Sequence, residues 1–337
     1  MLELDRGRYI GIQSGAVALA GKIDAIIGEW LHQGARNLFF AGTGGAAILM
    51  QPAAQMLQRA SAFPVHADIT AELVAGGHGQ LGPQSIVVIP SVSGTTKESV
   101  ELVELCKAKG AKVLSLVGHA GTPLARDATA TLVNFAEDDT SCENFYIQSL
   151  LVALSVLRHR GEIKTYAATV AELKTLPELL LGVKDQFRDR AEKYAAEIER
   201  EPYHLISAAG NCWPEAWYFG MCILEEMQWV RTRPVHAADF FHGPLELIEK
   251  GVSVAVYKGE DTYRPLAERV ERFASQYTDK LFVLDTTAFA LPGLSPATRA
   301  MAAPAILSSA LERLSEYLAA RRNHPLTTRR YYKRVPY

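Results

Sequence analysis

Residues 91–96 read Ser91-Val92-Ser93-Gly94-Thr95-Thr96, which places four hydroxyl side chains around one glycine. Four apolar residues, 86–89, precede them, and Val100, Leu102, Val103 and Leu105 follow at mainly helical spacing. The pattern predicts a buried strand, a hydroxyl-rich turn and the start of a helix. A helix start leaves backbone N–H groups unpaired and positive, and a glycine lets the backbone come close to a guest. Such a turn is suited to an anion, phosphate above all. An ordinary capping role for one Ser or Thr accounts for the same residues.

The elements that must position this turn alternate in type. Residues 13–33 carry Val17, Ile23, Ile26, Ile27, Trp30 and Leu31 at helical spacing, ended by Gly34. Residues 38–41 read as a strand running into the turn Gly42-Thr43-Gly44-Gly45, followed by a helix through 50–57 that Pro52 kinks or splits. Further strands are expected near 64–67, 113–117 and 131–135, with Gly110 closing the helix after the hydroxyl turn. A helix then carries Phe145, Ile147, Leu150, Leu151, Leu154 and Leu157.

After a charged helical stretch at 168–200 the pattern starts again. Residues 204–212 repeat the strand and glycine turn of 38–44, and a helix over 214–230, a strand over 252–257, a helix over 266–277 and a strand over 281–284 follow. The expected fold is α/β, with two similar lobes, each a mainly parallel sheet between helices. The expected division is 1–165 for the first lobe with its N-terminal helix, 166–200 for a helical connector, 201–322 for the second lobe and 323–337 for a tail. In the second lobe the hydroxyl turn is replaced by Lys258-Gly259-Glu260-Asp261, so the first lobe alone keeps an anion cradle.

Composition excludes several classes. The chain has 337 residues and a formal net charge of −2, with basic residues dispersed except near the C-terminus, which argues against nucleic acid as a partner. No apolar run is read as long enough to span a bilayer, and residues 1–6 lack the basic start and apolar core of a signal peptide, so a cytoplasmic protein is expected. Cys106, Cys142, Cys212 and Cys222 show no metal-type spacing and are read as reduced packing residues, with no metal site. A different alternative comes from Gly42-Thr43-Gly44-Gly45-Ala46-Ala47, which fits the G-x-G-x-x-A form of a dinucleotide fingerprint, with Asp68 placed to meet a ribose.

Four segments carry a resemblance to a known family. These are the segment Ala41-Gly42-Thr43-Gly44, the hydroxyl turn, Glu226, and Phe241-His242-Gly243-Pro244-Leu245-Glu246. Together they resemble the SIS (sugar isomerase) fold, two such domains in tandem, over nearly the whole chain. Glu226 and His242 stand sixteen residues apart, as do a glutamate and the histidine of an H-G-P-L segment in the isomerase domain of glucosamine-6-phosphate synthase. The ending, with Asn323-His324-Pro325, Arg329-Arg330-Tyr331-Tyr332 and Tyr337, is similar to that of fructoselysine-6-phosphate deglycases. Ile223 stands where the synthase has a lysine, which weakens a glucosamine-6-phosphate isomerase reading.

The resemblance implies a deglycase that hydrolyses a 6-phosphorylated sugar amine, of fructoselysine or glucoselysine type, to hexose 6-phosphate and free amino acid. An enaminol intermediate lies between. Glu226 would move the proton between sugar carbons, and His242, able to titrate near neutral pH, would open the ring. Phosphate and sugar contacts would fall on Gly42, Thr43, Gly44, Ser91, Val92, Ser93 and Thr96, with Arg330 of the tail meeting an anionic group. His236 and Asp239 are read as structural. The scheme needs no cofactor. The family also implies a homodimer or higher homo-oligomer, with His242 acting in the partner's site. An aldose-ketose phosphosugar isomerase and a non-catalytic phosphosugar sensor remain open on the same residues.

Overall fold

The computed structural model describes residues 3–137, 143–332, 334 and 335; Cys142 and Tyr337 lie outside the described residues. In chain order the first elements are α1 (Arg6–Ala18), α2 (Ala20–His32), β1 (Asn37–Gly42), α3 (Gly45–Ile48), α4 (Gln51–Ala60), β2 (Val65–Ile69) and α5 (Thr70–Gly76). Next come β3 (Ser85–Ser91), α6 (Lys97–Lys109), β4 (Lys112–Val117), α7 (Pro123–Asp127), β5 (Ala130–Val133), α8 (Glu143–His159) and α9 (Tyr166–Leu173). The chain continues through α10 (Leu176–Ile198), β6 (Tyr203–Ala208), α11 (Trp213–Tyr218), β7 (Arg231–His236), β8 (Ser253–Lys258), α12 (Arg264–Tyr277), β9 (Lys280–Asp285) and α13 (Pro296–Arg321). It forms two compact units: Gly7–Pro177, and Met1–Arg6 together with Glu178–Tyr337.

The unit Gly7–Pro177 is built on a five-stranded parallel sheet of order β2-β1-β3-β4-β5. Leu38 pairs with both Val65 and Ile86, and Val88 with Leu114. Every residue of β1 and β3 is buried. Since alternate strand residues point to opposite faces, both faces are covered, as expected of continuous apolar strands. Phe39, Ala41, Val87, Ile89 and Val113 pack with Leu102 and Val103 of α6 on one face. Pro52 lies in the first turn of α4, where a missing N–H costs nothing, so the proline splits the expected helix into α3 and α4.

The reading that no run is long enough to cross a bilayer needs correction. Helical residues Arg6–His32 reach 27 residues, with a window of mean hydropathy 1.4. The helix starts earlier than expected, at Arg6, and Leu19 between α1 and α2 adds to the apolar run. By length and composition alone this stretch meets the test for a span. Its apolar residues are put to another use here: Ile12, Val17, Ile23 and Ile27 are buried in the unit, and α2 packs against α8.

The second unit holds a four-stranded parallel sheet of order β7-β6-β8-β9. This is the order β2-β1-β3-β4 of the other unit over again, and it bears out the repeat seen in the sequence. Leu205, Val254 and Val256 pack with Ala267 and Val270 of α12. Strand β7 escaped the sequence reading because Arg231-Thr232-Arg233-Pro234 carries neither an apolar run nor alternation beyond the proline. It lies at the sheet edge, where a proline is tolerated.

At the end of β9, Asp285 receives a paired bond from Arg264 (2.9 and 2.5 Å) and meets Lys258 Nζ at 3.1 Å. Burial pushes the carboxyl up, but the bonds from Arg264, Thr287 and Lys258 outweigh it and hold its pKa well below the usual carboxylate range. A depressed folded-state pKa means that the stabilisation is complete above the unfolded value of about 4 and is lost as pH falls through the folded one. The urea midpoint of Asp285→Asn should therefore lie below that of wild type at pH 7, and the gap should close as pH falls below about 4.

Candidate active site

Strand β3 delivers the hydroxyl turn to the start of α6. Thr96 is the N-cap residue, yet its side chain makes no capping bond; its Oγ1 lies 3.2 Å from Ser91 Oγ. Ser91 Oγ accepts the Gly94 N–H at 3.0 Å, and Thr95 Oγ1 donates to Ser93 Oγ at 3.1 Å. The hydroxyls thus brace one another, and the first-turn N–H groups of α6 are not taken up by the residue that ordinarily caps them. Thr43 Oγ1, just past the end of β1, is buried with no hydrogen-bond partner among the described residues. The Val92 carbonyl is tied to Gly118 N–H at 3.0 Å.

Gly94 has φ +61°, and a Cβ there would come within 2.1 Å of Thr122 Oγ1. Gly94→Ala should distort the turn at both its backbone and its packing, with a loss of about 1–3 kcal/mol in stability. If the turn binds phosphate, phosphosugar affinity should fall as well. Urea unfolding and calorimetric titration with a hexose 6-phosphate check the two effects separately.

The other lobe shows what this place looks like when filled. Leu38 pairs with Ile86, and His204, at the same position in its strand, pairs with Ser253. Counted from these pairs, Gly94 stands where Asp261 stands. Gly44 and Gly210 correspond likewise and share a left-handed backbone, φ +56° and +58°. Asp261 Oδ2 accepts the Asn211 N–H at 2.8 Å, and Oδ1 the Tyr263 N–H at 2.9 Å. A Cβ on Gly210 would sit 2.1 Å from Asp261, whereas one on Gly44 meets nothing within 4 Å. One lobe satisfies its turn with its own carboxylate; in the other, no described atom takes that place beside Gly44, and Thr122 Oγ1 fills the space at Gly94. Glu260 is likewise spent, on Arg299 at 2.8 Å.

Glu226 belongs to a different unit and a different kind of element. After α11 the helix widens into a π-helix, Phe219–Met227. It ends with Gln228 N–H bonded to Ile223 O, and Val230 N–H to Leu224 O. Stretches of π-helix often mark functional sites. Trp229, just beyond, has φ +55°, a conformation that bulky residues rarely adopt. Arg329 Nε lies 2.9 Å from Glu226 Oε1, and Arg329 Nη1 donates to the carbonyls of Leu326 (2.5 Å) and Thr328 (3.1 Å). The tail therefore clamps Glu226 through a nearly buried guanidinium.

Beside this pair is a cavity of about 310 Å³, whose walls include Glu226, Trp229, Arg329, Arg330, Tyr331 and Tyr332. The Arg330 guanidinium lies over the Trp229 ring, 4.1 Å from its centroid. His324 meets the same indole edge-on at 4.5 Å, and its backbone carbonyl accepts Gln228 Nε2–H at 2.8 Å. Burial, with Arg322 and Arg330 nearby, lowers the His324 pKa against an opposing contact from Met227.

Glu225, next to Glu226 in sequence, is exposed and accepts from Thr232 at 2.7 Å. His242 is exposed on the turn before Pro244 and is not among the residues lining the cavity. His236 Nδ1 accepts the Ala238 N–H at 3.1 Å, and Asp239 O accepts the His242 N–H at 2.9 Å, both local turn contacts. Cys106, Cys212 and Cys222 are buried thiols outside any disulfide; burial pushes that of Cys106 up to about 12.

Comparison with known proteins identifies the family of this fold. A SIS domain matches residues 33–158. The fructosamine deglycase of Bacillus subtilis is 30% identical over 307 residues, which is 89% of this chain and 92% of that protein. The chain belongs to the SIS family. The fructoselysine 6-phosphate deglycase of Escherichia coli is 26% identical over 92% of this chain and 89% of its own length. Among solved structures, a Salmonella typhimurium protein provisionally assigned as a phosphosugar isomerase superposes with a TM-score of 0.88 at 27% identity, covering 94% of this chain and 99% of that one. The SIS match spans the hydroxyl turn, residues 91–96.

Proposed function

We propose that this SIS chain is an enzyme that hydrolyses a 6-phosphorylated sugar amine to hexose 6-phosphate and free amino acid. The observation that carries the proposal is the Glu226 carboxylate, fixed by Arg329 on the wall of a cavity wide enough for an amino-acid-sized group. Relatives named as deglycases over most of the chain support it.

The roles follow from chemistry. The substrate bears a ketone at C2 and a secondary amine at C1. The hydroxyl turn, with Thr43, takes the phosphate. Glu226 removes a proton from C1 to give an enaminol and returns one to C2, leaving an imine at C1. Water adds to C1, the C1–N bond breaks, and the amine leaves with the proton. One water is consumed, and no electron acceptor is needed. We assign His242 as the group that opens the sugar ring, acting from an exposed turn in the site of a second copy, so that the working form is a homodimer. Since a sugar phosphate is retained by the compartment that makes it, we place the enzyme in the cytoplasm.

The test is a panel of 6-phosphorylated fructosyl and glucosyl amino acids incubated with wild type, with free amino acid and hexose phosphate both assayed. Release in equal amounts supports the proposal and identifies the amine. Interconversion of aldose and ketose phosphates with every conjugate left intact would make the chain an isomerase. Binding without any turnover would make it a sensor.

A further inference from the structure

Two adjacent arginines line the cavity, and they are used differently. The Arg329 fork is spent on Glu226 and on two carbonyls of its own turn. Arg330 is exposed, its guanidinium faces the Trp229 ring at 4.1 Å, and it has no hydrogen-bond or ion-pair partner among the described residues. A guanidinium whose carbon rests over an aromatic ring keeps N–H groups that can make a two-pronged contact with an anion. The carboxylates on the same wall do not occupy it: Glu226 holds Arg329, and Glu225 accepts from Thr232.

The platform beneath Arg330 is built with some strain. Trp229 adopts a positive φ directly after the π-helix, and the edge of His324 meets its indole, with Gln228 holding the His324 carbonyl. A bulky residue held in such a conformation persists only where its surroundings over-determine it, and such positions cluster at ligand clamps. Tyr331 and Tyr332 complete a wall that suits methylene groups.

We propose that Arg330, stacked on Trp229, binds the α-carboxylate of the amino acid that leaves during the reaction. The inference rests on the deglycase proposal and assigns the amine half of the substrate to this cavity. Glu226 works at C1, the carbon bonded to the amine, so a cavity that shares the Glu226 wall is where the amine half extends. That half carries one obligate anion, its carboxylate. The phosphate sits at the far end of the sugar from C1, so it is not the anion that lies next to the amine.

The test compares two 6-phosphorylated fructosyl conjugates, one of lysine linked through its side-chain nitrogen and one of lysine's decarboxylated diamine. Charge-assisted hydrogen bonds contribute roughly 1.5–3 kcal/mol, so wild type should prefer the lysine conjugate by about 10- to 100-fold in kcat/KM. In Arg330→Gln that ratio should fall toward one, and Arg330→Lys should restore part of it. Equal losses on both conjugates in Arg330→Gln would overturn the assignment, because they would mean a phosphate contact or a structural role. A wild type that shows no preference would overturn it as well. A wild type that cleaves neither conjugate, nor any member of the wider panel, would remove the deglycase proposal itself, and this inference with it.

Discussion

Glu226→Gln should fold like wild type and release amino acid about 10²- to 10⁴-fold more slowly, the range by which a positioned acid–base group accelerates proton transfer. The side-chain amide keeps the shape of the carboxylate, and its oxygen can still accept the Arg329 Nε–H that now reaches Glu226 at 2.9 Å. The clamp survives; what is lost is the ability to take a proton from carbon. Substrate binding should change much less than kcat, since an interaction made in the transition state is being removed. Glu225→Gln is the matched control. It alters a carboxylate on the same wall, one that bonds Thr232, and should cost far less. Equal losses in the two variants would mean that neither carboxylate is the base and that the cavity needs only its charge.

Lys184→Ala carries the largest expected effect on stability, roughly 3–5 kcal/mol by urea denaturation of the purified protein. Lys184 of α10 is fully buried, and its Nζ lies 2.9 Å from Glu312 and 3.3 Å from Glu316, both on α13. Arg313 adds a 2.5 Å bond to Glu316. Removing the lysine takes a buried cation away from two largely buried carboxylates, and breaking one side of a buried ion pair is far more costly than the pair itself is worth. The prediction separates this account from simple loss of packing. Lys184→Met, which restores volume, should remain nearly as destabilised, whereas Lys184→Met combined with Glu312→Gln should recover part of the loss. Full rescue by Lys184→Met alone would show that packing, not charge, is at stake.

The architecture was legible because burial on both sheet faces leaves runs such as 86–89, and because turn glycines punctuate them. The braced hydroxyl turn could be read for a related reason: Ser91, Ser93, Thr95 and Thr96 sit between a strand and a helix, a place where hydroxyls meet backbone N–H groups. Its acidic counterpart could be read as different but not as self-satisfied, since that depends on Asp261 reaching back to Asn211 across the turn. Strand β7 was hidden by its arginines and proline, and α13 (Pro296–Arg321) lay in a stretch whose helical period was not separately read. The early start of α1 was hidden too, because Arg6 and Arg8 obscure an apolar run that begins just after them.

The neighbourhood of Glu226 was the least legible part. A π-helix has no distinctive pattern of residue types, and the positive φ of Trp229 follows from how that helix ends. The tail's aromatics signalled that residues 329–332 pack against something, but nothing in the sequence says that Arg329 meets Glu226 while Arg330 stacks on Trp229. His242 stands out in the sequence by its motif, and its exposure outside the cavity is a property of the single chain that no spacing rule conveys.

The most direct test of the central claim is to run the reaction of wild type on its best 6-phosphorylated fructosyl amino acid in heavy water and to record the mass and proton spectra of the hexose phosphate that is released. The account predicts one molecule of amino acid for each hexose phosphate, with deuterium bound to C2, because the proton returned to that carbon comes from a carboxylate that exchanges with solvent. Hexose phosphate released with only hydrogen at C2, or a conjugate left whole after prolonged incubation with excess protein, would contradict it.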